Sequence, residues 1–277
     1  MKAALALLLC LAPDIRAAEV EKYAWDEHWS RFRTSEYVVT GAAVAGSAAN
    51  FYLVPAPKSA VWKGGTLFDR DARNTLLIRS ESGRNRATNI SDLLTYALIG
   101  YSALDGPIVA RWAGGNKDTA IQLSLINAET FAVTEVLNLT VSNALPRSRP
   151  EGAECAPNSK YDPHCVKSFW SGHAANVFAA AGLVCAEHGA LNLYGGKADA
   201  AACGASLAAA SAVSALRIAE NAHHASDIVV GAAIGAATGY LMPNLLHFRF
   251  KKSRRELGYL IPDIGPSGGG VTYVKAW

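Results

Sequence analysis

The stretch FWSGHAANVFAAAGLVCAEHGA, residues 169–190, passes from two aromatic residues through a short polar turn into an alanine-rich apolar run. The run lacks the alternation of a strand and is longer than a typical strand, so it predicts a helix that begins near His173. Ser171 is a residue type that often caps a helix N-terminus. With Gly172, the same turn also exposes main-chain N–H groups to which an anion can bind. Whether this turn only caps a helix or also binds an anion depends on the residues that the rest of the chain places beside it.

Four further segments have the same character and are predicted to be helices: residues 92–112, 119–145, 201–219 and 226–246. The chain has 277 residues, of which 51% are hydrophobic, so it can bury a core of domain size. We predict an all-α fold, a helical bundle of about six core helices with the candidate site at one end. The bundle comprises residues 92–247, between a helix and loop extension over 19–91 and a basic flank with a loosely ordered tail over 248–277.

The N-terminus has the pattern of a secretory signal peptide over residues 1–18, although a short buried helix is the alternative. Lys2 precedes the apolar run ALALLLCLA, and small residues end the segment at Ala18. Outside it lie four of the five cysteines, an even number that is typical of disulfides in an exported protein. We expect Cys155 to pair with Cys165 and Cys185 with Cys203. A metal site in CAPNSKYDPHC is the alternative, but its spacing fits no standard zinc pattern.

The sequence leaves the relation to a membrane open. The segment 119–145 contains Gln122, Asn127 and Glu129, which are costly to place in lipid, whereas the last two segments are apolar but consist mostly of Ala and Gly. We expect an exported protein of the cell envelope with its site on the periplasmic side, either membrane-associated or integral. A membrane surface is an expected partner. Nucleic acid is not, because the net charge is only +3 and the basic residues are scattered.

Three polar clusters interrupt the apolar segments, each at a predicted helix end: residues 147–150 (RSRP), 171–173 (SGH) and 217–227 (RIAENAHHASD). Short connections favour antiparallel neighbours, which brings these helix ends to one side of a bundle. The order of the segments therefore predicts a single pocket, formed by the following residues: Arg147, Arg149, Ser171, Gly172, His173, Arg217, His223 and Asp227.

Such a pocket has the chemistry of a phosphate site. Arginine guanidinium groups bind phosphate oxygens in a bidentate manner, and a helix N-terminus adds N–H donors and a positive dipole. His223 and Asp227 are four residues apart and would share one face of a helix, so that the carboxylate orients the ring and leaves one nitrogen free to attack. His173 can then act as general acid and base. The reaction requires no metal in this design, because the arginines neutralise the developing charge.

The three clusters together resemble the signature of the type 2 phosphatidic acid phosphatase and vanadium haloperoxidase superfamily, which is K-x6-R-P, P-S-G-H and S-R-x5-H-x3-D in this order. The resemblance covers residues 92–247 and implies an all-helical phosphatase. It implies that Arg149, Ser171, Gly172 and Arg217 bind phosphate, that His223 becomes phosphohistidine with Asp227 as its partner, and that His173 is the acid and base.

The sequence departs from the signature at three positions. The signature lysine corresponds to Ser142, and we expect Arg147, Lys160 or Lys167 to supply the missing charge. The proline before Ser171 is replaced by Trp170, and the serine before Arg217 by Leu216. Taken singly, the arginines of the first cluster are typical of a helix C-terminal cap, so the prediction depends on the combination.

The predicted function is that of a metal-independent phosphatase that hydrolyses a phosphomonoester or diphosphate, by expectation a lipid phosphate, through a phosphohistidine. We expect no cofactor, with vanadate as an inhibitor. One alternative is a haloperoxidase that uses vanadate as its cofactor in the same pocket. The other is a non-catalytic membrane protein that binds an anion.

Overall fold

The computed structural model describes residues 23–150, 163–248, 258–265 and 268–275. The proposed signal peptide, Cys155 and Lys160 lie outside these residues. The described residues form seven α-helices and a two-stranded hairpin: α1 (Thr34–Tyr52), α2 (Asp69–Leu76), α3 (Glu81–Ile108), α4 (Lys117–Ala144), α5 (Gly172–Leu191), α6 (Lys197–Ala219), α7 (Ala225–Ala236), β1 (Gly258–Gly265) and β2 (Gly268–Lys275).

The five predicted core helices are all present, and the all-α prediction is confirmed. Helix α3 begins at Glu81, well before the predicted residue 92, and α7 continues through π-helical turns to Phe248. The first turns of α3 are polar and largely exposed, so they lack the apolar period on which a helix prediction depends. Arg84 supports them by donating from its side chain to the carbonyl oxygens of Ile78 and Arg79.

Helix α5 forms the centre of the bundle and packs closely against α7. Most of its apolar residues are fully buried, among them Val177 and Leu183. Three glycines of α7 and its π-helical extension, four residues apart, face the main chain of α5 and of its N-cap. A Cβ atom at Gly235 would lie 2.1 Å from the carbonyl oxygen of Ala175. The Ala and Gly content of these segments therefore serves close approach of two helices, as it does in packed membrane bundles.

Four helices of the described part are long and apolar enough to cross a membrane: Glu81–Ala113, Gly172–Leu191, Lys197–Ala219 and Ala225–Phe248. Helix α4 is not among them. Its buried residues include the polar Gln122, Asn127, Glu129 and Thr130 beside apolar residues such as Leu123. The polar residues that make this helix costly to place in lipid therefore face the interior of the bundle.

Two further predictions concern the outer parts of the chain. The predicted Cys185–Cys203 disulfide is present and joins α5 to α6 across 18 residues of sequence. The prediction of a loosely ordered tail differs from the structure, in which β1 and β2 pair as antiparallel strands from Gly258–Lys275 to Gly265–Gly268. Gly265 and the glycines 268–270, which suggested a loose tail, lie in the paired ends of β1 and β2.

Candidate active site

The residues after α4, the starts of α5 and α7 and the end of α6 lie at one end of the bundle, as the order of the segments predicts, and Asp92 of α3 lies beside them. His173, at the start of α5, places its Nε2 atom 2.8 Å from Oδ1 of Asp92 in α3. Arg217, at the end of α6, lies with Nη1 3.5 Å from the same oxygen. One carboxylate oxygen therefore contacts both the predicted acid and a predicted phosphate ligand.

Arg217 is buried, with 7% of its side chain exposed, and its charge is balanced locally. Nη1 forms an ion pair with Glu220 at 2.6 Å and donates to Ser91 Oγ at 3.3 Å. Burial raises the pKa of Glu220, and the positive charge of Arg217 opposes this rise.

Ser171 and Gly172 form the turn that opens α5. Ser171 is fully buried, and its Oγ accepts a hydrogen bond from the main-chain N–H of Ala174 at 3.3 Å, so it is an N-cap as well as a candidate ligand. Its hydroxyl proton remains able to donate to an anion. A Cβ atom at Gly172 would lie 2.7 Å from Nδ2 of Asn138 in α4. Glycine is therefore explained here by the packing of α5 on α4 and not by anion access alone.

His223 is buried in the turn between α6 and α7, and its orientation differs from the prediction. The Nδ1 atom lies 2.8 Å from the main-chain carbonyl oxygen of Ser168 and 3.9 Å from Oδ2 of Asp227. A carbonyl oxygen only accepts, so Nδ1 carries the proton and Nε2 carries the lone pair. Asp227 is thus not the direct hydrogen-bond partner of the ring. The pair does not share a helix face, because α7 begins only at Ala225.

The electrostatic surroundings keep His223 neutral. Burial is the largest cause that lowers its pKa well below the usual 6.5, and the charges of Arg149 and Arg217 lower it further. The hydrogen bond to the Ser168 carbonyl opposes this shift. A neutral ring with a free Nε2 lone pair is the form that can attack phosphorus.

Asp227 holds the turn around His223 in place. Its Oδ2 accepts from Ser168 Oγ at 2.6 Å and from the main-chain N–H of His224 at 3.0 Å, and its Oδ1 accepts from Arg147 at 2.5 Å. Because Ser168 supplies the carbonyl that orients His223, the carboxylate acts on the ring through this residue.

Arg147 lacks the free donors that its predicted role in phosphate binding would require. Its side chain is fully buried and pairs with Asp227 and, at 2.8 Å, with Asp69. Further donation goes to Ser226 Oγ at 2.8 Å and to the Gly64 carbonyl from both Nε and Nη2. These contacts engage every nitrogen of the guanidinium, which leaves no group directed toward a ligand.

Arg149 keeps its predicted place near the site, and its charge lowers the pKa of His223 and of Glu220. It also lines a cavity of about 760 Å³ together with basic residues of the segment before α3, namely Lys63, Arg70 and Arg73. Ser142, at the position of the signature lysine, is buried, and its hydroxyl donates to the Leu139 carbonyl at 3.1 Å. Lys63, Arg70 and Arg73 are therefore additional candidates for the missing charge.

Asp92, Ser168 and Asp69 were not found from the sequence. Asp92 opens the apolar segment 92–112, and a carboxylate at the edge of such a segment was the available signal. Ser168 acts through its main-chain carbonyl, which leaves no mark in the sequence. Asp69 lies 78 residues from Arg147, to which it binds, and no local pattern relates two such positions.

Comparison with known proteins gives one family match and one structural match. Residues 119–251 match the model of the PAP2 superfamily. The chain is also similar to the crystal structure of a transmembrane PAP2-type phosphatidylglycerolphosphate phosphatase from Bacillus subtilis, with 19% sequence identity, coverage of 80% of this chain and 100% of that chain, and a TM-score of 0.47. No curated protein matches the sequence. The matched segment includes all eight predicted site residues and excludes Asp92. Residues 119–251, somewhat less than half of the chain, therefore resemble the PAP2 superfamily.

Proposed function

We propose that the protein is a metal-independent phosphatase of the cell envelope that hydrolyses a lipid phosphate through a phosphohistidine at His223. The observation that carries the proposal is the hydrogen bond from Nδ1 of His223 to the Ser168 carbonyl. It fixes the tautomer that has its lone pair on Nε2, while Arg149 and Arg217 lie close enough to lower the pKa of the same ring. A neutral nucleophile beside two permanent cations suits attack on an anionic phosphate.

The reaction has two displacements at phosphorus. Nε2 of His223 forms a bond to phosphorus while the bond to the ester oxygen breaks, and His173 donates a proton to the leaving alkoxide. His173 then removes a proton from water, whose oxygen attacks phosphorus and breaks the P–N bond. Inorganic phosphate leaves and His223 is restored. Arg149, Arg217, the Ser171 hydroxyl and the N-terminal N–H groups of α5 bind the phosphate oxygens throughout.

Asp92 has two consequences for this cycle. Its carboxylate holds the Nε2 proton of His173 and so orients the ring. It also lies 3.5 Å from Arg217, where it neutralises part of the charge that attracts phosphate. We propose that Asp92 holds His173 and Arg217 in place until a phosphate binds. The phosphate carries more negative charge and replaces Asp92 as the partner of Arg217.

A lipid phosphate is the proposed substrate because apolar surface lies next to the site. Ile90, Leu93 and Tyr96 are spaced by three along α3 around Asp92, and their exposed fractions are 50%, 69% and 72%. Such a row of exposed apolar side chains suits contact with acyl chains. The four helices long enough to cross a membrane support the same environment. Export would place the site on the periplasmic side.

The experiment is a phosphate-release panel that compares lipid phosphates with soluble phosphomonoesters. The wild type is compared with His223→Gln and with His28→Gln as a matched control, since His28 is exposed. We expect hydrolysis of a lipid phosphate by the wild type and the control, loss of at least about 1,000-fold in His223→Gln, inhibition by vanadate and no inhibition by chelators in a short assay. Full activity of His223→Gln would refute the mechanism, and faster turnover of soluble esters would refute the substrate class.

A further inference from the structure

A second cluster of ionisable side chains lies far from the phosphate site. Glu36 in the first turn of α1, Glu129 in the middle of α4 and His247 near the end of the α7 extension are 4%, 3% and 0% exposed. One ligand atom of each lies within 4.8 Å of the other two. His247 is 24 residues beyond His223, which is roughly 35 Å along a helix. The cluster is therefore independent of the catalytic groups.

His247 presents a lone pair to this cluster. Its Nδ1 lies 3.1 Å from the main-chain carbonyl oxygen of Ser30, so Nδ1 is the donor and Nε2 is left as an acceptor. Nε2 lies 3.4 Å from Oε1 of Glu36 and has no hydrogen-bond partner among the described residues. Two buried acceptors that face each other require a cation between them, either a proton or a metal ion. The arrangement of one ring nitrogen on a carbonyl and the other free is that of metal-binding histidines.

Glu129 provides the second indication. Its Oε2 is buried and has no hydrogen-bond partner among the described residues. A buried, unpartnered carboxylate is costly unless a cation compensates its charge. Arg33 forms an ion pair with Glu36 at 3.0 Å, and so supplies one positive charge for two carboxylates. A divalent cation would satisfy both the charge of the cluster and the free atoms.

We propose that Glu36, Glu129 and His247 bind one divalent transition-metal ion, with zinc as the best fit, and that this site is structural. Imidazole nitrogen with carboxylate oxygen is a common zinc donor set, and zinc takes a fourth ligand such as water. Donor atoms in a tetrahedral zinc site lie about 3.3 Å apart for bonds of about 2.0 Å. The 3.4 Å separation of His247 Nε2 and Glu36 Oε1 already has this value.

The surroundings explain what the metal does. Ser30 donates from its main-chain N–H to the His247 carbonyl at 3.3 Å, and the ring of Phe32 stacks on the His247 ring with a centroid separation of 6.0 Å. The metal would therefore join three parts of the chain that are distant in sequence: the start of α1, α4 and the last turn after α7. Its loss would loosen α1 without touching the phosphate site.

The test is the metal content of the full chain, purified in detergent with a tag that does not bind metal. Zinc is measured by mass spectrometry of the protein after exhaustive dialysis, and Co²⁺ is added to chelator-treated protein to detect the visible absorption of a tetrahedral site. The variants are Glu129→Gln and His247→Gln. Glu187→Gln is the matched control, because Glu187 is an equally buried carboxylate outside the cluster.

We expect one zinc ion per chain in the wild type and in Glu187→Gln, and zinc affinity lowered by roughly 100-fold or more in both cluster variants. We expect a Co²⁺ spectrum only in the first two proteins. Zinc should raise the Tm of the wild type and not of the cluster variants, whereas His223-dependent turnover at low temperature persists in Glu129→Gln. A wild type that binds neither zinc nor Co²⁺ would overturn the proposal and assign a proton to the cluster. Equal zinc binding by wild type and both cluster variants would overturn it as well.

Discussion

His223 donates its Nδ1 proton to the main-chain carbonyl of Ser168 at a distance of 2.8 Å. The proposed nucleophile is thus oriented by the backbone of the loop that precedes α5, and Asp227 acts on its ring only through Ser168. The Asp227 carboxylate accepts from the Ser168 hydroxyl and holds Arg147 beneath the turn. Catalytic geometry and the stability of this end of the bundle therefore depend on the same buried ion pair.

Replacement of Asp227 by Asn is expected to lower both stability and turnover. It leaves the buried Arg147 with Asp69 as its single carboxylate partner among the described residues, and breaking a buried pair costs about 3–5 kcal/mol. The matched control is Asp118→Asn, whose pair with Arg31 is half exposed and contributes about 0–1 kcal/mol. Thermal unfolding of both variants measures the difference. Because Asp227 acts on His223 through Ser168, Asp227→Asn should also lower kcat with little change in KM. Equal effects of Asp227→Asn and Asp118→Asn on stability and on kcat would contradict both expectations.

Replacement of Asp92 by Asn is expected to lower kcat by roughly 10–100-fold, the loss that follows removal of an orienting partner of a functional histidine. Without the carboxylate charge, protonated His173 is less favoured. The alkaline limb of the kcat profile, which reports the general acid, should therefore move to lower pH. KM should fall, because Arg217 loses a competing anion. A pH–rate profile of the variant with a lipid phosphate provides the check, and an unchanged alkaline limb would exclude the pairing with His173.

Replacement of Gly235 by Ala is expected to destabilise the protein by at least about 1–3 kcal/mol, the usual cost of overpacking. The added Cβ would lie 2.1 Å from the Ala175 carbonyl oxygen, and main chain cannot move aside as a flexible side chain can. The control is Gly204→Ala in α6, where a Cβ meets nothing within 4 Å. There the higher helix propensity of Ala should stabilise by about 1 kcal/mol. Unfolding of the pair in detergent should give opposite signs, and the same sign in both would reject close packing of α7 on α5.

The pH dependence of stability should carry a contribution from His223. Its folded pKa lies well below the 6.5 of an unperturbed histidine, so as the pH falls below about 6.5 the unfolded chain takes up the proton first. The contribution of His223 to the free energy of unfolding is complete above pH 6.5. It is lost as the pH falls from there toward the folded pKa, by up to about 1.4 kcal/mol per pH unit. The wild-type stability minus that of His223→Gln should therefore decrease from pH 7 to pH 5. Parallel curves would indicate that the pKa of the His223 ring is the same in the folded and the unfolded chain.

The sequence by itself determined the helices of the core and the end of the bundle at which the functional residues meet. Apolar runs of helical length between short polar connections admit few arrangements, and antiparallel packing of neighbours follows from the short loops. The Cys185–Cys203 disulfide was also predictable from the sequence, because it joins two consecutive helices. The order of the polar clusters also identified His173, Arg217 and His223 as neighbours in space.

Only the tertiary structure decided which charged group contacts which. Arg147 binds Asp227 and Asp69 in place of phosphate, and the direct carboxylate partner of His173 is Asp92, which belongs to none of the three clusters. These partners are 78 to 81 residues apart. A hydrogen bond requires two atoms to lie within about 3 Å, and that distance depends on how helices rotate and pack. Spacing along the chain fixes the face of a helix, whereas the choice among several carboxylates at one end of a bundle depends on packing alone.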